Sequence, residues 1–348
     1  MKPLFLSFSM ILLLHIKTKK GKIKGVLELF SEIMKKFQEG EAMYKIVEKE
    51  SLNPTVTKMV VAAPAVAKKA LAGQFIILRV HENGERIPLT IADYDRVKGT
   101  ITIIFQIVGK TTMLLNELNE GDSILDFVGP LGKPSHVDGL KKVCVIGGGV
   151  GCAIAYPTAK ALHENGADVT VITEFRNKDL VILEDEFKQV SSHAYLVSDD
   201  GSTGTKGLVT NVLQDLINQG ETFDEVIAIG PLIMMKFVCE LTKKYNITTI
   251  VSMNPIMIDS TGMCGGCRLS VGGQTKFACE DGQDVGITDE FEVVVPRRVL
   301  PGNKLISTIV DNETIYNNPS MGWVQYYEFQ DTDVDKYWAE MDELYAQG

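Results

Sequence analysis

The sequence predicts an antiparallel β-barrel or sandwich, then a doubly wound α/β domain, then a short cysteine-rich loop. Three observations carry that reading. Short β-branched runs separated by turns recur between Met43 and about residue 135. Apolar strands alternate with helical patterns from Lys141 to about residue 255. Immediately afterwards, "DSTGMCGGCRLSVGGQTKFAC" (259–279) holds three of the chain's six cysteines.

The β-runs are "YKIVEKESL", "VTKMVVAAP", "QFIILRVHE", "IPLTIADY", "GTITIIFQIVG" and "DSILDFVGPLG". One helix interrupts them, "TTMLLNELNEG", with Thr111 or Thr112 expected as its N-cap and Gly121 beyond its end. In the second region "KKVCVI" is a buried strand running into the glycine turn "GGGVG". The helix "CAIAYPTAKALHENG" and the strand "ADVTVITEF" follow it. Then come "HAYLVSD", "TNVLQDLINQG", "DEVIAIGP", "LIMMKFVCELTKKYN" and "TTIVSMN", a strand–helix alternation that implies a parallel sheet covered on both faces. The expected divisions are an extension over 1–42, a β-domain over 43–139, an α/β domain over 140–256, a cysteine loop over 257–282 and an atypical acidic extension over 283–348. Within the last, "VDKYWAEMDELYAQG" is a candidate amphipathic helix.

A chain of 348 residues, 45% apolar, has material for two domains with their own cores. A net charge of −10 argues against non-specific nucleic-acid binding, which needs a basic surface. Cys144, Cys152 and Cys239 sit singly in apolar segments and read as small buried hydrophobes. With the other three clustered around a C-x2-C, the expected compartment is the reducing cytosol. "PLFLSFSMILLLHI" near the start is too short to span a bilayer comfortably, and its lysines follow it rather than precede it as in a signal peptide. Residues 1–42 therefore read as translated upstream sequence before a natural start at Met43, in preference to a membrane anchor.

Several short stretches carry chemistry. Gly147, Gly148, Gly149, Val150 and Gly151 lie at a strand-to-helix turn, where glycine lets a pyrophosphate approach free helix N–H groups. The third glycine of a full G-x-G-x-x-G is missing, since Cys152 or Ile154 stands there. Glu174, ending the next strand, could take a ribose 2′-hydroxyl, and Arg176 could instead pair with a 2′-phosphate, so NADH and NADPH both remain open. Gly230 and Pro231 follow another strand end, where open α/β sheets bind ligands. "RIPLT" (Arg86–Thr90) offers a guanidinium suited to phosphate, and "GKTT" (Gly109, Lys110, Thr111, Thr112) offers helix N–H groups to a second one.

The cysteine loop has the spacing D-x4-C-x2-C-x11-C, with Asp259 where a plant-type [2Fe–2S] loop has its first cysteine. Cys264, Cys267 and Cys279 with Asp259 suit either an iron–sulfur cluster or a tetrahedral zinc site, although zinc ribbons pair two knuckles and only one is present.

Taken together, the RIPLT barrel, the helix after GKTT, GGGVG, AIGP and the terminal cysteine loop resemble the ferredoxin–NADP reductase superfamily. Within it the chain resembles the electron-transfer subunits of bacterial dihydroorotate dehydrogenase. It is also similar to the small subunit of NADH-dependent ferredoxin:NADP oxidoreductase, also called a sulfide dehydrogenase subunit. The resemblance covers about residues 43–282. It implies an FAD-dependent oxidoreductase subunit in which Arg86, Pro88, Leu89 and Thr90 hold the flavin, Arg86 at its pyrophosphate and Thr90 near N5. Gly109–Thr112 would make the second phosphate contact, Gly147–Gly151 with Gly230 and Pro231 would hold NAD(P)H, and Asp259, Cys264, Cys267 and Cys279 would hold a [2Fe–2S] cluster. Hydride would pass between nicotinamide and flavin without a side-chain acid or base. Single electrons would then reach a larger flavin- and iron–sulfur-bearing partner, with ferredoxin served through that partner. The dihydroorotate branch resembles this pattern with cysteine in the first position, so Asp259 favours the ferredoxin-linked oxidoreductase. The reading from another class is a zinc-stabilised nucleotide-binding module without turnover.

Overall fold

Alternation of apolar and polar residues along the first six strands closes a sheet around one core. In the computed structural model these are β1 (Ile46–Asn53), β2 (Val56–Ala62), β3 (Phe75–Arg79), β4 (Ile87–Asp95), β5 (Thr100–Gln106) and β6 (Asp126–Leu131). The structure describes residues 44–255, 257, 260–271, 274–287, 293–295, 308–309, 314–317 and 325–328. The 1–42 extension, Asp259 and the helix expected within 334–348 lie outside the described residues, as does most of 283–348.

The barrel strands run β1-β2-β5-β4-β3-β6, and every neighbouring pair is antiparallel. Closure comes from the approach to β6: Ile46 N–H donates to Asp122 O at 2.8 Å, Ile124 N–H to Tyr44 O at 3.0 Å, and Lys45 bridges Ser123. A closed sheet leaves no unpaired edge. Its interior holds Ile46, Met59, Ile76, Leu78, Ile91, Ile101, Ile103 and Phe127, all at most 1% exposed.

A one-turn helix α1 (Pro64–Ala67) and α2 (Lys110–Glu117) complete the barrel. The N-cap of α2 is Gly109, not Thr111 or Thr112. Thr112 Oγ1 reaches back to accept the N–H groups of Val108 and Gly109, at 3.1 and 3.0 Å, and donates to Gly109 O at 2.9 Å. A hydroxyl three positions into the helix thus does the capping, and a glycine takes the extended turn ahead of it.

The α/β domain follows: β7 (Lys142–Gly148), α3 (Gly151–Glu164), β8 (Asp168–Phe175), α4 (Glu184–Gln189), β9 (His193–Ser198), β10 (Thr205–Lys206), α5 (Val209–Asn218), β11 (Glu225–Ile229), α6 (Leu232–Lys243) and β12 (Thr248–Ser252). Its sheet runs β10-β9-β8-β7-β11-β12 with parallel pairing throughout. Strand β7 shows why "VCVI" reads as a central strand. Val143 and Val145 enter the apolar core beneath α3 and α4, and Cys144 and Ile146 the core beneath α5 and α6. Such a strand is buried on both faces. On α3 the alanines at 153, 155 and 159 bring the helix close to the sheet. Cys144, Cys152 and Cys239 are buried, as the sequence implied.

After β12 the chain makes a hairpin of β13 (Arg268–Val271) and β14 (Gln274–Phe277) and one turn of helix, α7 (Ala278–Asp281). It then returns to the parallel sheet as β15 (Asp284–Ile287), antiparallel to β12. The sequence reading had no strand there, because "DVGI" is short and glycine interrupts its apolar pattern.

Candidate functional site

Strand β4 carries the RIPLT stretch. Its register against β3 pairs Phe75 with Thr90, Ile76 with Leu89 and Ile77 with Pro88. Arg86 is exposed just ahead of the strand, and Pro88, Leu89 and Thr90 are half-buried. The GKTT segment comes to the same place, since Thr111 Oγ1 donates to Glu85 Oε2 at 3.4 Å. The first intrahelical bond of α2 runs from Met113 N–H to Gly109 O. The N–H groups of Lys110, Thr111 and Thr112 precede that bond and mark the positive end of the helix. Two segments read separately from the sequence as phosphate contacts therefore meet at one end of the barrel.

The glycine loops of the α/β domain also meet. A Cβ on Gly151 would sit 2.5 Å from Ile229 O and 2.8 Å from Gly230 Cα, and one on Gly148 would sit 2.9 Å from Pro231 Cδ. Gly149 turns the chain at φ +54, with its N–H donated to Glu174 O at 2.8 Å. Cys152 stands where a third fingerprint glycine was sought, and its sulfur would lie 2.9 Å from a Cβ on Gly147. This chain thus fills the close helix–strand contact with a small thiol instead of leaving it bare, and burial pushes that thiol's pKa up.

Glu174 has a partner the sequence did not reveal. Its Oε2 accepts Val209 N–H at 2.7 Å, so it caps α5 from a neighbouring strand. Burial pushes its pKa up to about 7, although the Val209 bond pulls the other way. Arg176 is exposed; burial pushes the pKa of Asp199 up, and the nearby Arg176 charge pulls against that shift.

The cysteine loop owes its x11 spacing to the hairpin. Register Arg268↔Phe277 puts Cys267 beside Ala278, whose N–H donates to Cys267 O at 3.0 Å. The first turn of α7 then brings Cys279 Sγ to 3.2 Å from Cys267 Sγ. Both side chains are buried, and burial with the neighbouring sulfur pushes the Cys279 thiol up to about 12. Cys264 is half-buried and accepts Gly266 N–H at 3.4 Å. Among the described residues no group of three His, Cys, Asp or Glu side chains is gathered tightly enough to hold a metal ion, and Asp259 lies outside them. The hairpin was foreshadowed by Gly272–Gly273, a two-glycine signal between β-type runs.

Two buried thiols in contact, a third thiol receiving an N–H bond, and the buried, unpartnered hydroxyl of Ser260 fit an iron–sulfur cluster. A thiol as far from ionising on its own as Cys279 becomes a ligand when a cation takes the place of its proton. The pair also joins the barrel: Cys267 and Cys279 share one apolar core with Phe75, the strand partner of Thr90, and with Met253 and Met257.

A family model described as the iron–sulfur cluster binding domain of dihydroorotate dehydrogenase B matches residues 254–282. A Thermotoga maritima protein named dihydroorotate dehydrogenase B (NAD(+)), electron transfer subunit homolog, is 47% identical over 245 residues, 70% of this chain and 86% of its own length. The electron transfer subunit of that enzyme from Streptococcus pneumoniae is 34% identical over 246 residues, 68% of this chain and 93% of its own. The chain belongs to the dihydroorotate dehydrogenase B electron-transfer subunit family.

Within this family the fold is that of the ferredoxin–NADP reductases, as the sequence implied. An uncharacterized protein in the adh 3'region of Clostridium beijerinckii is 52% identical over 250 residues, 70% of this chain and 84% of its own. A solved chain from work on flavin-based electron bifurcation by NADH-dependent reduced ferredoxin-NADP oxidoreductase is 45% identical. The match covers 70% of this chain and 88% of that one, with a TM-score of 0.67. Family members carry iron–sulfur and electron-transfer character, and among the described residues no helix is long and apolar enough to cross a membrane.

Proposed function

We propose that this chain is the small subunit of an NADH-dependent ferredoxin:NADP oxidoreductase in the cytosol. It carries electrons between NAD(P)H, FAD and a [2Fe–2S] cluster and delivers them to a larger flavin- and iron–sulfur-bearing subunit, through which ferredoxin is served. The observation that carries this reading is the Cys267–Cys279 pair, packed into the core that also holds the strand partner of Thr90. A flavin supplies conversion between the two-electron chemistry of nicotinamide and the one-electron chemistry of iron–sulfur.

The protein's part is placement. Arg86 and the N–H groups of Lys110, Thr111 and Thr112 take the FAD phosphates, and Pro88, Leu89 and Thr90 line the flavin side of β4. Gly147–Gly151, with Gly230 and Pro231, receive the nicotinamide nucleotide, because side chains there would close the gap between the two loops. With Glu174 engaged by Val209, its free oxygen is what remains for a ribose hydroxyl, and Arg176 is the group for a 2′-phosphate. Asp259, Cys264, Cys267 and Cys279 are the cluster ligands.

A second reading, the electron-transfer subunit of a dihydroorotate dehydrogenase, draws on the names of the T. maritima and S. pneumoniae relatives and on the family model. Asp259 in the first ligand position favours the first reading. The deciding experiment is anaerobic co-purification with the product of the adjacent gene. FAD, about two irons per chain and ferredoxin-dependent NADP reduction support the proposal. Dihydroorotate oxidation replaces it with the second reading. Colourless protein with stoichiometric zinc establishes the zinc-stabilised nucleotide-binding module instead.

A further inference from the structure

Two backbone N–H groups of the cysteine loop serve sulfur: Gly266 donates to Cys264, and Gly262 hydrogen-bonds Cys279. A third donor in the same loop has no acceptor among the described residues. Ser260 is 8% exposed, and its Oγ is buried with no hydrogen-bond partner. Buried polar groups are almost always paired, so an orphan calls for an explanation.

Its backbone adds to the cost. Ser260 sits at φ +58, in the left-handed region where a Cβ is disfavoured. The other positive-φ positions among the described residues of the loop, Gly262 at φ +74, Gly265 at φ +66 and Gly282 at φ +106, are glycines. Glycine at 260 would remove both the steric cost and the unmet hydroxyl. No described residue offsets either, so the compensation lies in a bound group. Ser260 is next in sequence to Asp259 and four residues before Cys264.

We propose that Ser260 is a positioning residue of the iron–sulfur site, its hydroxyl donating a hydrogen bond into the ligand sphere to which Cys264, Cys267 and Cys279 contribute. The inference rests on the iron–sulfur reading above. Hydrogen bonds to a cluster and its ligands favour the more negative, reduced form, and so raise the reduction potential.

The test is an EPR-monitored redox titration, with iron analysis, of the anaerobically purified full chain as wild type, Ser260→Ala and Ser260→Gly. Both variants delete the donor, but alanine keeps the left-handed strain and glycine relieves it. The expected result is retained iron and a lower midpoint in both, with an about tenfold smaller reduced-to-oxidised ratio at the wild-type midpoint. Unchanged midpoints, or shifts of opposite sign, overturn the role of Ser260 and leave the iron–sulfur reading intact. Wild-type protein without iron overturns both. If both variants shed iron while the apo-chain unfolds at the wild-type temperature, the hydroxyl is needed for retention and the proposal stands. If the fold is lost with the iron, Ser260 is a structural residue and the proposal falls.

Discussion

The Ser135 hydroxyl donates to Asp284 Oδ2 at 2.5 Å, joining the segment that leaves the barrel to the strand that follows the cysteine loop. Ser135 also lies 3.3 Å from Thr158 Oγ1 on α3 and gives its N–H to Ala72 O at 2.9 Å, and Ser252 of β12 hydrogen-bonds the same carboxylate. Five segments thus meet at the Ser135–Asp284 pair. Asp284→Ala is expected to destabilise the chain by about 2–3 kcal/mol, because it strands two hydroxyl donors. Asp284→Asn, which still accepts through its amide oxygen, is expected to cost less than half as much. Urea unfolding of the two variants at one pH checks the ordering.

Glu174 gives the stability of the chain a pH dependence with a fixed sign. Its folded pKa of about 7 lies above the ordinary 4.5, so the native state takes up a proton that the unfolded chain has released. Its contribution is intact below pH 4.5 and is lost as pH rises to about 7. The full loss is at most about 3 kcal/mol. Glu174→Gln keeps an acceptor for Val209 N–H and removes the charge. Urea midpoints from pH 4.5 to 8 are expected to show wild type falling relative to this variant, with the divergence complete near pH 8. Parallel curves would mean that the carboxylate ionises freely in the folded chain.

Much of this fold was readable because burial leaves a period in the sequence. Six barrel strands and most of the alternation from β7 to β12 follow from apolar positions spaced at two or at three to four residues; the short α4 and the two-residue β10 carry too little pattern to read. The glycine loops were readable as turns, but their mutual contact through Gly148, Gly151 and Gly230 was not, since nothing local records which strand ends become neighbours. Glu174 shows the same limit. As the end of a strand it read as a ligand contact, whereas its engagement of Val209 depends on two elements separated by 35 positions. The cap of α2 was missed for a different reason: two threonines stand in a row as candidates, and only the backward bonds of Thr112 show that Gly109 takes the cap position.

Gly151 tests the contact between the two glycine loops. Its Cβ would press on the carbonyl oxygen of Ile229 and the backbone of Gly230, neither of which can swing aside as a side chain can. Gly151→Ala is expected to cost about 1–3 kcal/mol and to weaken nicotinamide nucleotide binding, because the loops must part. Gly148→Ala also meets Met234 Sδ, at 2.6 Å, an atom that can rotate away. Its cost is expected to be smaller unless Pro231 fails to yield. Thermal unfolding with and without NADH orders the two.

Cysteine replacement separates ligands from core. Cys152 and Cys279 are both nearly inaccessible, at 0% and 5% exposure, so burial alone predicts similar penalties for alanine at either. Only Cys279 touches another sulfur, that of Cys267 at 3.2 Å. Cys279→Ala and Cys267→Ala are expected to lose iron and the absorption that goes with it while FAD is retained, since Arg86 and the start of α2 lie on the barrel. Cys152→Ala is expected to keep its iron and to lose about 1–2 kcal/mol of stability from the small void beneath Gly147. Iron and flavin analysis of the three purified variants decides the matter. Iron retained in Cys279→Ala would place the cluster on other residues, and iron lost from Cys152→Ala would show that retention depends on the packing of the α/β domain and not on the hairpin thiols alone.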